Sequence, residues 1–219
     1  FPADGTLPNM EAMMTITETH GVAAAFYVDR ASHFKTTRHE SIRVQLTGVY
    51  DETQIARALT EIGITLILAL SPQAKGRVER LFETLQDRLI KELALAGIRT
   101  IEDGNTFLHA WLPGFNRRFF VRPANGKAAY RPIPNHLRLN LIFSIQEERM
   151  VRADNTISFQ GRTYLLHKTT RRVSFAKTTV TVHQCIDGDV RILHQGQELA
   201  FTPSWTKSLG NGEDIIAGE

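Results

Sequence analysis

Only one cysteine, Cys185, occurs in 219 residues. That excludes an internal disulfide and any cysteine zinc cluster, and it fits a reducing, cytoplasmic compartment. The longest apolar run, Ile62 to Leu70, is too short to span a bilayer, and no signal-peptide pattern opens the sequence, so no membrane partner is expected. There is no phosphate-loop or dinucleotide-binding glycine motif and no internal repeat. Zinc-ligand spacing is also missing, so His33 and His39, close to Asp29, read as ordinary loop histidines. Cys185 has no evident base partner and reads as a buried strand residue. The first residue is Phe1 rather than Met, and the chain is expected to be a fragment of something longer.

Acidic residues are absent where basic ones gather. Between Arg117 and Arg138, Arg117, Arg118, Arg122, Lys127, Arg131 and Arg138 meet no carboxylate. Net charge is only +3, with a sequence pI of about 9.2. A local excess of this kind, more than the net charge, is the footprint of a polyanion partner. A hydrophobic fraction of 42% and a charged fraction of 22% are those of an ordinary globular protein.

Along the chain, TLPNMEAMMTITETHG (6–21) reads as a helix, with Thr6 as its cap, Pro8 in its first turn and Gly21 at its end. VAAAFYV (22–28) is an apolar run of buried-strand length that stops at Asp29. Residues 30–49 read as a loop. DETQIARALTEI (51–62) is helical, with Ile55, Ala58, Leu59 and Ile62 on one face and Gly63 to stop it. ITLILAL (64–70) is a second buried strand. A long helix follows, with Ser71 as cap, Pro72 at its first position, an apolar stripe from Val78 to Leu93, and Gly97 at its close. A shorter helix is expected from Glu102 to Trp111. Strands alternating with helices predict an α/β layer structure with a largely parallel sheet.

After residue 112 the pattern changes. Residues 113–150 read as a basic Pro/Arg-rich linker, and residues 151–206 as a small β-barrel built on hairpin signals at Gln160-Gly161, Asp187-Gly188 and Gln195-Gly196. Residues 207–219 read as a disordered tail.

The candidate chemistry lies in two carboxylates. Asp29 ends one buried strand, and Glu79 lies in the second turn of the helix that follows the next, a region where functional groups of α/β sheets collect. Brought together they would repel unless a cation neutralised them, and hard divalent ions favour oxygen ligands. The alternative is that Asp29 caps a turn and Glu79 pairs with Lys75 one helical turn back. Gly76 inside a helix costs roughly 1 kcal/mol against alanine; either a phosphate backbone approaches there, or the glycine packs against a neighbour. Lys75, Arg77 and Arg80 can bind phosphates or remain solvated. In the linker, Arg117, Arg118, Phe119, Phe120, Arg122, Tyr130 and Arg131 interleave cations with aromatics, which suits phosphates and unstacked bases. Arg162, Lys168, Arg171, Arg172 and Lys177 form a second basic cluster.

SPQAKGRVER (71–80) resembles the glutamate segment of retroviral-type integrases and insertion-sequence transposases, in which a Pro-Gln, small residue, Gly and Val-Glu pattern opens the catalytic helix. YVDRASHF (27–34) looks like the second-aspartate strand of the same family. The resemblance covers about residues 1–95, and the barrel-like region agrees with it in order. It implies an α/β, RNase H-like but incomplete core followed by a small all-β barrel, with Asp29 and Glu79 as catalytic and Mg²⁺ (or Mn²⁺) ligands. It further implies DNA as partner, both element ends and target, a homo-oligomer when intact, and a bacterial, nucleoid-associated location. The implied reaction is metal-assisted DNA cleavage and strand transfer, with water and then a 3′ hydroxyl attacking a phosphodiester. DNA contacts are expected from Lys75, Arg77, Arg80, Arg117, Arg118, Arg122, Arg131, Arg171 and Arg172. The family's first catalytic aspartate is not present, and Asp4, just ahead of the first helix, is a poor substitute. The Asp29–Glu79 separation exceeds the shorter spacing of many integrases, with residues 30–49 as the insertion. A catalytically inactive DNA-binding remnant is the competing expectation, and a nuclease acting on RNA–DNA hybrids a third.

Overall fold

The computed structural model describes residues 4–34, 52–69, 76–170 and 172–204. In the first of two units, Phe1–Phe143, helix α1 (Thr6–His20) buries Met10, Met13 and Thr17. The Thr17 hydroxyl donates to the Met13 carbonyl at 2.8 Å, which satisfies a buried polar group inside the helix. Gly5 rather than Thr6 stands at the N-cap position, without a side-chain bond. At the far end Gly21, at φ 95°, donates its N–H to the Thr17 carbonyl.

The run 22–28 divides at Ala24 into β1 (Val22–Ala23) and β2 (Ala25–Val28). β1 pairs antiparallel with β4 (Tyr130–Arg131). β2 pairs in parallel with β3 (Thr65–Leu68), residue for residue from Ala25↔Thr65 to Val28↔Leu68. Parallel neighbours need a crossover, and this one carries α2 (Gln54–Ile62). The sequence pattern predicts two buried strands. The structure leaves Tyr27 48% and Ile67 43% exposed, because among the described residues β2 and β3 pair only with each other and alternate residues face outward.

α2 is the element whose sequence pattern and structure agree most closely. Thr53 accepts the Ala56 N–H as N-cap. Ile55, Ala58, Leu59 and Ile62 are all buried, and Gly63 closes the helix in the left-handed conformation at φ 77°. The Arg57 guanidinium donates to Glu61 within α2 and to the Ile142 carbonyl, tying α2 to the short helix α5 (Leu139–Ile142).

The long helix α3 spans Gly76–Leu95; Ser71 and Pro72, its expected start, lie outside the described residues. Helix α4 runs over Ile101–Phe119, capped by the Thr100 hydroxyl. It continues through Pro113 and Gly114, where the sequence pattern places a linker. A proline inside a helix costs about 3 kcal/mol. Offsetting this, Trp111, Phe115 and Phe119 recur at four-residue spacing and touch ring to ring, with centroids 4.8 and 4.6 Å apart.

Among its described residues, the second unit, Ser144–Glu219, is all β. One antiparallel sheet has the order β10-β9-β8-β5, from β5 (Ile145–Met150), β8 (Thr179–Gln184), β9 (Val190–His194) and β10 (Gln197–Leu199). The other has the order β11-β7-β6, from β6 (Thr156–Phe159), β7 (Arg162–Leu166) and β11 (Phe201–Ser204). The hairpin turns Gln160-Gly161 and Gln195-Gly196 have positive φ at both positions, the twist that suits two-residue connections. Val151, Ile157, Phe159, Tyr164, Phe175, Val182 and Ile192 belong to one buried core shared by both sheets. The expected barrel is therefore corrected. Closure needs a continuous ladder around the strands, and among the described residues the edge strands of one sheet are not bonded to those of the other. The expected tail 207–219 lies outside the described residues. No helix among the described residues is long and apolar enough to cross a membrane.

Candidate functional site

Asp29 follows directly on β2, and Glu79 sits in the first turn of α3. Both line one cleft of about 540 Å³ in the first unit. Its apolar lining includes Tyr27, Phe34, Val78 and Phe82, and its polar lining includes Asp4, Asn9 and His33. The His33 ring packs against Phe34 with centroids 4.3 Å apart; His39 lies outside the described residues. β2 carries Tyr27, Val28 and Asp29 to one side of the cleft. α3 presents Val78, Glu79 and Phe82, which successive helical turns bring to one face.

The Asp29 carboxylate also closes a turn, with Oδ1 accepting the Ala31 N–H at 2.9 Å. The turn-capping role and the cleft-lining role thus coexist in one side chain. Lys75, the alternative partner of Glu79, lies outside the described residues. Gly76 opens α3, and a Cβ added there would meet nothing within 4 Å, so no described neighbour requires a glycine. Asp4, a poor substitute for the family's first aspartate by its position in the sequence, lines the same cleft. It accepts from Asn9 Nδ2 at 2.7 Å.

Two exposed carboxylates in one cleft offer hard oxygen donors. Mg²⁺ is ordinarily held by one or two carboxylates together with water and substrate phosphates. The donor chemistry of Asp29 and Glu79 therefore fits that ion with part of its shell left open. Among the described residues no group of three His, Cys, Asp or Glu side chains is placed to hold a metal by itself.

The basic residues divide by what they touch. Arg80 turns back along α3, its Nε donating to the Gly76 carbonyl at 3.0 Å. Arg117 and Arg118 occupy the last turn of α4, where cations also favour the negative end of the helix. Arg122 is exposed beyond it. Arg131 is engaged inside its own unit, its Nη2 donating to the Ile62 carbonyl at 2.7 Å and the Gly63 carbonyl at 3.1 Å. There it caps the carboxyl end of α2. A Cβ on Gly63 would lie 2.6 Å from that nitrogen, and one on Gly21 2.5 Å from the Arg131 carbonyl oxygen. Both glycines thus make room for this residue.

In the second unit Arg172 is likewise engaged. Nε donates to the Ser174 carbonyl at 2.8 Å, Nη1 lies 3.0 Å from His194 Nε2, and the guanidinium covers the Phe175 ring. Arg162, Lys168 and Lys177 are exposed. Lys75, Arg171 and the side chain of Arg77 lie outside the described residues. Sequence reasoning missed the aromatic wall of the cleft, since Tyr27 and Phe82 read there as a strand and a core stripe. It also missed Arg88 of α3, which lies 5.2 Å from the centre of the Phe119 ring; only the approach of this side chain to α4 in three dimensions could reveal it.

No family model matches the chain. It is 36% identical over 194 residues to a putative transposase, y4bF, of Sinorhizobium fredii, covering 87% of this chain and 41% of the relative. It is 34% identical over 176 residues to the transposase for insertion sequence IS1202 of Streptococcus pneumoniae, covering 80% of this chain and 37% of the relative. A putative transposase for insertion sequence element IS5376 of Geobacillus stearothermophilus is 24% identical over 150 residues, 65% of this chain and 35% of the relative. The chain thus spans about two fifths of the length of the curated relatives it matches most extensively. At 34–36% identity over four fifths or more of its residues, the chain is a relative of insertion-sequence transposases.

Proposed function

We propose that this chain is part of a DNA transposase and contributes two carboxylates, Asp29 and Glu79, to an integrase-type, RNase H-like site for DNA strand cleavage and transfer. The observation that carries the reading is the shared cleft. Side chains far apart in sequence, on β2 and α3, line one cavity, and they are the positions that the motifs YVDRASHF and SPQAKGRVER single out. Similarity to transposases over most of the chain supports the substrate class.

Two carboxylates drawn onto one metal ion would repel each other, and the ion's charge would offset that repulsion. Asp29 and Glu79 would hold Mg²⁺ or Mn²⁺, whose chemistry there is to polarise a phosphodiester and lower the pKa of an attacking hydroxyl. The chain's own contribution is placement. β2 and its Asx turn hold the Asp29 carboxylate, and α3 brings Glu79 to the same cavity. The positive end of the α3 dipole favours the Glu79 carboxylate and an incoming phosphate alike. Arg117, Arg118 and Arg122 supply phosphate contacts away from the cleft. A homo-oligomer and a nucleoid location accompany this reading.

The test is nicking of duplex DNA bearing the ends of the parent element, with Mg²⁺ or Mn²⁺, by the protein that carries this chain. Asp29→Asn and Glu79→Gln should each lower the nicking rate by roughly 100- to 1,000-fold, the rate equivalent of losing several kcal/mol of metal-supplied charge stabilisation, while DNA binding persists. Undiminished nicking in both variants would remove the two carboxylates from the mechanism.

A further inference from the structure

The end of α4 presents an apolar step set among cations. Phe119 is anchored: its ring contacts Phe115 on one side, with Arg88 of α3 at 5.2 Å and Arg118 at 5.9 Å from its centre. The next two residues are not. Phe120 is 72% exposed and Val121 84%, whereas Phe119 is 40% exposed. At Phe120 the backbone leaves the helix (φ −62°, ψ 127°), and every residue from Arg117 to Arg131 is exposed. Arg118 and Arg122 flank the pair, and no acidic residue occurs anywhere from Gly104 to Gln146.

Adjacent large apolar side chains left in water, between cations and without a carboxylate nearby, fit a partner that is both anionic and apolar-faced. Single-stranded or locally unpaired nucleic acid has both properties, phosphates along its backbone and π-faces on its bases. An intact duplex offers the phosphates but keeps its base faces stacked.

We propose that Phe120 and Val121 form a wedge that engages an unpaired or unstacked DNA base, while Arg118 and Arg122 hold the flanking phosphates. This rests on the reading of DNA as the partner and narrows it to DNA that is open or opened at the contact. Phe119 is a positioning residue in this arrangement. Locked against Phe115 and Arg88, it fixes the direction in which Phe120 leaves the helix.

Fluorescence anisotropy on the purified chain tests it with two labelled oligonucleotides, a perfect duplex and the same duplex carrying a short unpaired stretch. The wild-type chain should prefer the second. Phe120→Ala should weaken binding to that DNA by roughly 5- to 150-fold, the range for losing one base-stacking aromatic, with duplex affinity within about twofold. Phe120→Trp should keep the preference. The double variant Arg118→Ala, Arg122→Ala should weaken both and flatten the log–log salt dependence by about 2. A side chain this exposed contributes little to folding, so an unchanged melting temperature for Phe120→Ala confirms that the variant reports on binding.

If Phe120→Ala binds both DNAs as the wild type does, the wedge is overturned and the DNA partner stands. If no DNA binds in a salt-dependent way, the wedge and the DNA partner fall together. Phe120-dependent binding to anionic lipid vesicles, with no preference for open DNA, also overturns it.

Discussion

Arg131 separates a structural role from a nucleic-acid role. Its place in an arginine-rich stretch marks it as a phosphate contact, yet its guanidinium donates to the Ile62 and Gly63 carbonyls at the end of α2. Arg131→Ala deletes both bonds and leaves two helix-terminal carbonyls without this donor. A hydrogen bond involving a charged group contributes about 1.5–3 kcal/mol, and a cation at a helix carboxyl end about 0.3–1 kcal/mol. The residue is exposed, and water can replace part of what is lost, so the net cost should be about 2 kcal/mol. At the size of the first unit this lowers the melting temperature by about 5 °C. Arg131→Lys keeps the charge without the fork and should recover only part of the loss. Binding is the second readout. The slope of log K against log salt changes by about 0.9 for each phosphate contact removed, so Arg131→Ala should leave it unchanged while Arg122→Ala lowers it. Calorimetry and a salt titration on the same preparations decide the matter. A slope reduced by about 0.9 with an unshifted melting temperature would show that Arg131 grips DNA, and the capping argument would be wrong.

Two further outcomes follow from the second unit. Phe159 is 2% exposed in the core shared by both sheets, beneath the Arg149 guanidinium; Phe159→Ala should cost about 3–5 kcal/mol by urea denaturation. At Asp154 the Thr156 hydroxyl and then the Thr156 backbone N–H donate to Oδ1, holding the carboxyl below its ordinary value of 3.8. The folded state therefore binds this proton less readily than the unfolded chain. The stabilisation is complete above that ordinary value and is lost as the pH falls through the lowered one. Asp154→Ala should flatten the acid limb of the stability profile below about pH 4 and change its pH dependence little near neutrality. An acid limb identical to the wild type would refute the assignment.

The sequence by itself determined the local elements and the chemistry that could be asked of them. Ile55, Ala58, Leu59 and Ile62 share one helix face because 3.6 residues make a turn, and Gly63 ends that helix because glycine reaches positive φ without strain. The hairpin turns of the second unit follow from the same short-range sterics. The two carboxylate motifs were legible as strings of residues. Three-dimensional packing alone decided their neighbours. The parallel register of β2 on β3 and the seating of α3 bring Asp29 and Glu79 to one cleft. The ring ladder Trp111–Phe115–Phe119 carries α4 past Pro113, against the local signal for a linker. Arg131 is drawn to α2, and Phe120 is left facing water. These outcomes depend on groups distant in the chain, where burial and hydrogen bonding between elements outweigh the preferences that neighbouring residues impose.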